Sequence, residues 1–264
     1  MSFKIVTWNI NSIKIRLNHL REFITEHNPD IICLQELKCE TDKFPSEELS
    51  DLPYNLYIHG QKSYNGVAIL SKIPADEVIT KFPDNPIPEQ ARFIECSFDT
   101  PIGFLRVISL YAPNGGEVGS EKFAIKLDFY DAFINYIKSK KSFEEKLFIG
   151  ADYNIAPFDT DVYSPDNLRD TTCFTLTEQR KLRTILNDGF VDNFRAKHPH
   201  KRDFSWWDYR AGAFEQNNGM RIDTIISTSN ALQNLEDCII DYKTREKRQP
   251  SDHAPVIGIY TQRT

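Results

Sequence analysis

Long apolar runs are missing from the 264 residues: the longest unbroken stretches, such as Ile31 to Leu34, are about four residues. A helix crossing a bilayer needs roughly 20, so no membrane partner is expected. The start, Met1-Ser2-Phe3-Lys4-Ile5, lacks the charged-then-apolar layout of a secretion signal. Cysteine is sparse and scattered, at 33, 39, 96, 173 and 238, an odd set without a C-x-x-C pair. That excludes a disulfide-stapled miniprotein and gives no zinc site; with the missing signal it leads us to expect reduced thiols and a cytoplasmic location. Gly/Ser or Pro-rich linkers and solenoid-period repeats are also absent. Basic excess is lacking too, since 32 basic residues face 38 acidic ones for a formal charge of −6. Such a balance counts against a histone-like protein held on polyanions mainly by charge. It remains compatible with an enzyme acting on phosphates, where carboxylates gathered round a divalent cation make a working site that is positive.

What is present is an ordinary globular composition, 40% apolar and 27% charged, enough for one large core or two small ones. Short runs rich in Ile, Val, Phe and Leu read as strands: Phe3 to Trp8, Asp30 to Leu34, Gly66 to Leu70, Arg92 to Cys96, Phe104 to Tyr111, Lys146 to Gly150, Arg221 to Ile226 and Ala254 to Tyr260. Three segments have helical spacing. The first carries Ile13, Leu17, Leu20 and Ile24; the second runs from Phe123 to Ile137 and ends in Lys138, Lys140 and Lys141; the third spans Glu178 to Leu186. Strands in hairpin-like succession with a few helices predict an α/β domain of two sheets with covering helices. The stretch from Ala156 to Cys173, rich in Asp, Pro and Thr, reads as a long loop, where function often sits.

The informative feature is what ends the apolar strands. Trp8 runs into Asn9-Ile10-Asn11, Leu34 into Gln35-Glu36 and then Lys38, and Gly150 into Ala151-Asp152-Tyr153-Asn154. Alternation along a strand puts Asp152 and Asn154 on one face, Asn9 and Asn11 on one face, and Arg221 with Asp223 opposite Ile222. Carboxylates and amides delivered this way suit a hard cation such as magnesium if they converge. Taken singly, each is more often a turn or helix cap. Asp252-His253 before the last strand fits either a structural histidine or one that bridges a phosphate oxygen while a second carboxylate holds its ring. Tyr111 alone reads as packing. The stretch His200 to Arg210 interleaves cations with Trp206, Trp207 and Tyr209, and fits a nucleic-acid surface or a core Trp pair beside a turn.

In order along the chain, these segments resemble the exonuclease III family of apurinic/apyrimidinic (AP) endonucleases. The likeness is carried by Trp8-Asn9-Ile10-Asn11, Leu34-Gln35-Glu36-Leu37-Lys38, His59-Gly60-Gln61-Lys62, Asn65 to Leu70, Asp152-Tyr153-Asn154, Ser205 to Arg210, Asn218 to Asp223 and Ser251-Asp252-His253-Ala254-Pro255. A lone Asp-x-Asn has little specificity, whereas the ordered set from Phe3 to Tyr260 has much. The resemblance implies a four-layered α/β sandwich, two packed mixed sheets flanked by helices, as a single domain over 1–264. It implies magnesium, with manganese as a substitute, held by Glu36 as principal ligand with Asn9, Asp152, Asn154 and Asp252 around it; one metal or two is left open. Asp152 would be the base toward water, Asn154 would hold that water or a phosphate oxygen, and His253, oriented by Asp223, would contact the phosphate with Tyr111 assisting. Lys38, Lys62, Arg92, Lys201 and Arg202 are candidate DNA contacts. Trp206, Trp207 and Met220 match an apolar pocket and wedge. The expected activity is hydrolysis 5′ to abasic sites in duplex DNA, with 3′→5′ exonuclease and 3′-end phosphatase or phosphodiesterase activity, by a monomer acting on duplexes with abasic sites or blocked 3′ ends. Hydrolysis of another phosphodiester or phosphomonoester is the alternative enzyme reading. A silent binding module fits poorly, because a binder has no need of Glu36, Asp152, Asn154, Asp223 and His253 together. One departure is visible: the family usually has Gly where this chain has Ala151. An ordinary strand backbone there would leave the chemistry intact.

Overall fold

All eight apolar runs fall on strands of the computed structural model, which describes residues 2–141 and 145–261. In chain order the strands are β1 (Ser2–Asn9), β2 (Ile31–Gln35), β3 (Asn55–His59), β4 (Val67–Ser71), β5 (Glu77–Ile79), β6 (Phe93–Thr100), β7 (Gly103–Tyr111), β8 (Lys146–Asp152), β9 (Phe190–Asp192), β10 (Trp206–Trp207), β11 (Gly219–Met220), β12 (Asp223–Thr228), β13 (Leu235–Ile240) and β14 (Val256–Thr261). The helices are α1 (Ile13–His27), α2 (Glu121–Lys140), α3 (Pro165–Leu168), α4 (Leu176–Asn187) and α5 (Asn193–Lys197). One six-stranded sheet has the order β13-β14-β1-β2-β4-β3 and the other β5-β6-β7-β8-β12-β9. Each is antiparallel except for one central parallel pair, β1 with β2 and β7 with β8.

Those central strands are apolar on both faces because both faces are covered. Phe3, Ile5, Ile31, Cys33, Val67 and Ile69 point inward and meet Ile94, Cys96, Phe98, Val107, Phe148 and Ile225 of the facing sheet. On the outer face of the first sheet, Val6, Trp8, Ile32 and Leu34 pack under Leu20, Phe23 and Ile24 of α1. Outside the second sheet, Ile108, Leu110, Ile149 and Ala151 pack under Phe129, Phe133 and Ile137 of α2 and Leu182 and Ile185 of α4. The result is four layers, helix, sheet, sheet, helix.

Six strands carry no long apolar run. Four of them, β3, β5, β9 and β13, are the sheet edges, where burial is least and pairing rather than composition makes the strand. The helix expected at Glu178 starts slightly earlier: Thr175 caps α4, accepting from the Glu178 N–H while the Glu178 carboxylate accepts from the Thr175 N–H. The segment from Ala156 to Cys173 is mostly loop, with a short 3₁₀ turn at Asp159–Asp161 and the four-residue α3. It is not solvated throughout, since Ala156, Val162 and Cys173 pack against Met220 and Ile222.

The sheets approach closely at Gly150. A Cβ there would lie 3.0 Å from the Cβ and 3.1 Å from the Sγ of Cys33, and 3.1 Å from the Cβ of Thr7. Gly150→Val forces branched carbons into that seam, and overpacking of this kind costs about 1–3 kcal/mol. The expected result is a lower urea midpoint at unchanged slope; an unchanged midpoint would show that the seam yields freely.

Candidate active site

Five strand ends and the loop before β14 open at the same edge of the two sheets. Tyr111 on β7, Asp152 on β8 and Asp223 on β12 are register partners in a row across three strands, so their side chains emerge on one face. Asn9 ends β1, and Glu36 follows β2. The backbone of Glu36 is left-handed, φ 51°, a conformation that costs a non-glycine residue about 1 kcal/mol or more. Hydrogen bonds hold it there: the Ser12 N–H donates to the Glu36 carbonyl at 2.7 Å, and the next N–H, of Leu37, donates to Gly66 O at 3.1 Å.

The Asn9 side chain joins the two sheets. Its Nδ2 donates to Glu36 Oε1 and to Asp152 Oδ2, both at 2.9 Å, while its Oδ1 accepts from the Asn11 N–H. Asp152 Oδ1 accepts the Asn154 N–H at 2.9 Å. His253 is buried, with Nδ1 donating to Asp223 Oδ2 at 2.9 Å and Nε2 3.9 Å from Asp152 Oδ2. Ser205 fixes the aspartate: its Oγ donates to Asp223 Oδ2 at 2.7 Å and accepts the N–H groups of Ile222 and Asp223. Asp252 is held by Asn11 Nδ2 at 2.8 Å and Trp206 Nε1 at 3.0 Å. Together with Tyr111, Asn114, Asn154, Thr172, Cys173, Met220 and Ile222, most of these groups line a cleft of about 370 Å³.

The charges are distributed unevenly. Burial alone pushes the His253 imidazolium toward neutrality, but Asp223, Asp252 and Asp152 outweigh it and raise its pKa to about 10. Burial and then the charge of Asp223 raise the Asp152 carboxyl to about 7. Glu36, half-buried and pushed up by desolvation, is nevertheless held below its ordinary value by the bonds from Asn9 and by Lys38. Burial, with the charges of Glu36 and Asp152, keeps the Tyr111 phenol well above its usual range and therefore protonated at neutral pH. Ligand atoms of Glu36, Asp152 and His253 lie within 4.8 Å of one another, a possible metal-binding cluster. Because His253 carries a proton on both nitrogens, the ligands in that set are the two carboxylates, and Asp152, short of positive partners, suits a hard cation.

Not every expected residue reaches the cleft. Asn9 presents its N–H₂ rather than its carbonyl to the acidic groups. Lys38 lies beside Glu36, its Nζ 2.9 Å from Oε2 and 2.5 Å from Asn11 Oδ1. Arg92 stacks on the Tyr111 ring and lines the adjoining recess with Gln90, Asn114 and Lys122, while Lys62 is exposed on the loop before β4. Lys201 is paired with Asp203, and Arg202 donates to the carbonyls of Val162 and Tyr163. Trp207 needs correction: it is 1% exposed in a core with Phe194, Phe204 and Cys238, because neighbours on a strand point to opposite faces and Trp206 takes the cleft. Arg221 and Asp223 also part company, since Arg221 precedes β12 and its guanidinium goes to Asp161 and Asp192. Asn114, Cys173, Ser205 and Ile222 contribute without having been singled out. Asn114 had a signal, an amide just past a strand end like Asn154; Cys173 had none.

An acidic, amide-lined cleft at the shared edge of two face-to-face sheets, sheathed in helices, is the architecture of a phosphoesterase-type α/β sandwich. Residues 6–253 match the Endonuclease/Exonuclease/phosphatase family, and the chain belongs to that family. It is 35% identical to exodeoxyribonuclease III of Haemophilus influenzae over 261 residues, 96% of this chain and 98% of that one. Among solved structures it is similar to a 3′ phosphatase from Neisseria bound to a product DNA hairpin (TM-score 0.94, 34% identity, 98% of this chain and 99% of that one). It is similar likewise to an AP endonuclease from Archaeoglobus fulgidus (TM-score 0.93, 35% identity, with the same coverage). Among the described residues no helix is long and apolar enough to cross a membrane.

The His253–Asp223 pair has a pH signature. With a folded pKa raised to about 10, its stabilisation is fully present below the ordinary histidine pKa and is lost as pH rises through about 10. In metal-free protein the His253 ring resonances should stay those of imidazolium from pH 6 to 9 by NMR, whereas Asp223→Asn should bring the titration down toward the ordinary value near 6.5. A wild-type midpoint near 6.5 would contradict the charge assignment.

Proposed function

We propose that this chain is a DNA repair nuclease, a metal-dependent phosphodiesterase that incises duplex DNA 5′ to abasic sites and trims blocked 3′ ends. The observation that carries the reading is one cleft in which the carboxylates of Glu36 and Asp152 and the imidazole of His253 come within 4.8 Å of one another, walled by Trp206, Met220 and Ile222. Magnesium, with manganese as a substitute, is the ion this oxygen donor set suits; when bound there it supplies Lewis acidity at the phosphate and stabilises the leaving oxygen.

The residues divide the remaining work. Asp152 takes the proton of the attacking water; burial and the charge of Asp223 raise its carboxyl and so strengthen it as a base. The Asn154 amide at the cleft wall positions that water or a phosphate oxygen. His253, an imidazolium clamped by Asp223, turns Nε2–H toward the cleft and stabilises charge developing on the phosphate. Tyr111, protonated and beside the carboxylates, is a second donor to it. Glu36 is the anchoring ligand, and Asp252 faces the same cleft. The exposed Lys62 and the recess at Arg92 and Lys122 are suited to flanking phosphates. We read the working unit as a monomer in the cytoplasm.

An end-labelled duplex with one abasic analogue, with and without magnesium, separates incision from end-trimming by product length. Chelation should abolish cleavage and magnesium restore it; full turnover in excess chelator would remove the reading. Asp152→Asn and His253→Ala should each lower kcat at least about a hundredfold, the lower range for losing a general base or an oxyanion donor. DNA affinity should change much less. Near-normal turnover in Asp152→Asn would mean another group is the base.

The apolar wall supports abasic recognition. Trp206 and Met220 are cross-strand partners on β10 and β11, and Ile222 continues the surface. A baseless sugar leaves the stack cheaply and fits beside them, whereas an intact nucleotide costs a few kcal/mol to unstack and brings a base that clashes. Met220 is unbranched and adaptable, but Trp206 is a flat wall that also holds Asp252. Trp206→Ala should therefore reduce the preference for abasic over intact duplex more than Met220→Leu does, read as the ratio of kcat/KM on the two duplexes. Equal ratios in Trp206→Ala and wild type would make the indole a packing residue only.

A further inference from the structure

Behind the cleft wall lies an ion pair that no step above uses. Lys126 of α2 and Glu178 of α4 are both fully buried, with Nζ 2.5 Å from Oε1. The other two donors of the ammonium go to backbone carbonyls, Asn154 O at 2.7 Å and Asn114 O at 3.0 Å. Glu178 in turn accepts the N–H groups of Cys173 and Thr175 and the Thr175 hydroxyl. Three separate segments, after β7, after β8 and before α4, are thereby tied to one pair of charges. The cleft-lining residues Asn114, Asn154 and Cys173 are the ones they carry. Their side chains are linked as well: Asn114 Nδ2 donates to Asn154 Oδ1 at 3.1 Å, and Asn154 Nδ2 donates to Ala112 O at 3.0 Å.

We propose that Lys126 and Glu178 are positioning residues that set the Asn114–Asn154 wall of the cleft and so act on turnover rather than on DNA affinity. All three ammonium protons are used, on acceptors from three chain segments, so the position of each segment is fixed relative to the other two. Asn154 needs such support because its backbone is left-handed, φ 49°, outside the ladder that holds Asp152 two residues earlier. Gly115 is an independent sign that the stem of Lys126 must pass close to this wall. Its φ is +92°, and a Cβ there would lie 2.9 Å from Lys126 Cδ. A buried ion pair is a poor route to stability, since an apolar pair of similar volume does as well; fixing three loops is something an apolar pair cannot do. The inference rests on the nuclease reading only for which rate constant responds.

The test is the charge-neutral double variant Lys126→Met/Glu178→Gln, which leaves no unpaired ion behind. Expected are a fall in kcat of roughly ten- to hundredfold, the scale of an ångström-level displacement at a reacting centre, and a much smaller change in KM. Amide hydrogen exchange should rise together in 112–116, 153–156 and 172–175. Adding Asn154→Ala should then cost little more than Asn154→Ala alone, because both changes remove the same contribution. Should the double variant not fold, Gly115→Ala, which keeps both charges but displaces the lysine stem, should give the same three-segment exchange pattern and a loss in kcat. Unchanged kcat in a folded variant, multiplying losses in the cycle with Asn154→Ala, or exchange confined to one segment would each overturn the proposal. Wild-type protein that leaves an abasic duplex intact would instead defeat the nuclease reading, and the exchange pattern would still decide the positioning role.

Discussion

Everything at the cleft depends on one amide spanning two sheets. Glu36 belongs to the first sheet and Asp152 to the second, and both accept from the same nitrogen, Asn9 Nδ2. Two carboxylates within 4.8 Å repel by roughly 3 kcal/mol at an effective dielectric of about 20. A hydrogen bond to a charged group contributes about 1.5–3 kcal/mol. The two bonds from Asn9 are together of the size needed to offset the repulsion. Asn9 can serve both only if β1 and β8 lie at a fixed spacing, so the packing between the sheets, tightest at Gly150, is part of the chemistry.

The acidic groups do not share positive charge equally, and the imbalance assigns their roles. Asp223 has the His253 imidazolium and the Ser205 hydroxyl; Glu36 has Lys38 and Asn9; Asp252 has the Trp206 indole and the Asn11 amide. Asp152 sits among them with amide donors from Asn9 and Asn154 and a 3.9 Å approach to His253 Nε2. Burial and the charge of Asp223 accordingly raise the Asp152 carboxyl, which is the feature that the proposed roles of base and cation ligand draw on. The formal charge of −6 fits this arrangement: a chain that concentrates carboxylates at one edge to bind a cation needs no basic excess to work on phosphate.

Much of this was legible in the sequence. The interior strands declared themselves because both faces are buried, and the polar residues just past their ends were the right ones to watch. Sheet edges were not legible, since residues such as Asn55–His59 and Glu77–Ile79 become strands by pairing with a neighbour already in place. Nor was the row Tyr111, Asp152, Asp223, which depends on register between paired residues 41 and 71 positions apart in the chain (152 − 111 and 223 − 152). Alternation misled at Arg221, which lies outside regular strand and turns away to Asp161 and Asp192, whereas Asn154 lines the cleft with Asp152 as expected, though through a left-handed turn. For Trp206 and Trp207 the same rule went unused: two adjacent strand residues cannot both face one cleft, so the expectation that both line the pocket fails at Trp207.

The single visible departure from the family pattern is explained by the same geometry. Ala151 sits within β8, paired with Leu110 and Thr224, and its backbone is not left-handed. Its side chain faces outward, into the layer formed by α2 and α4, where a methyl adds contact with Leu110 and Ile149 neighbours rather than strain. The preceding residue, Gly150, faces the opposite way, into the seam against Cys33 and Thr7. Two adjacent positions thus obey opposite limits set by which layer they face. A carbon added at 151 leaves the spacing between β1 and β8 untouched, and with it the reach of Asn9 to Asp152; the same carbon at 150 would act directly on that spacing.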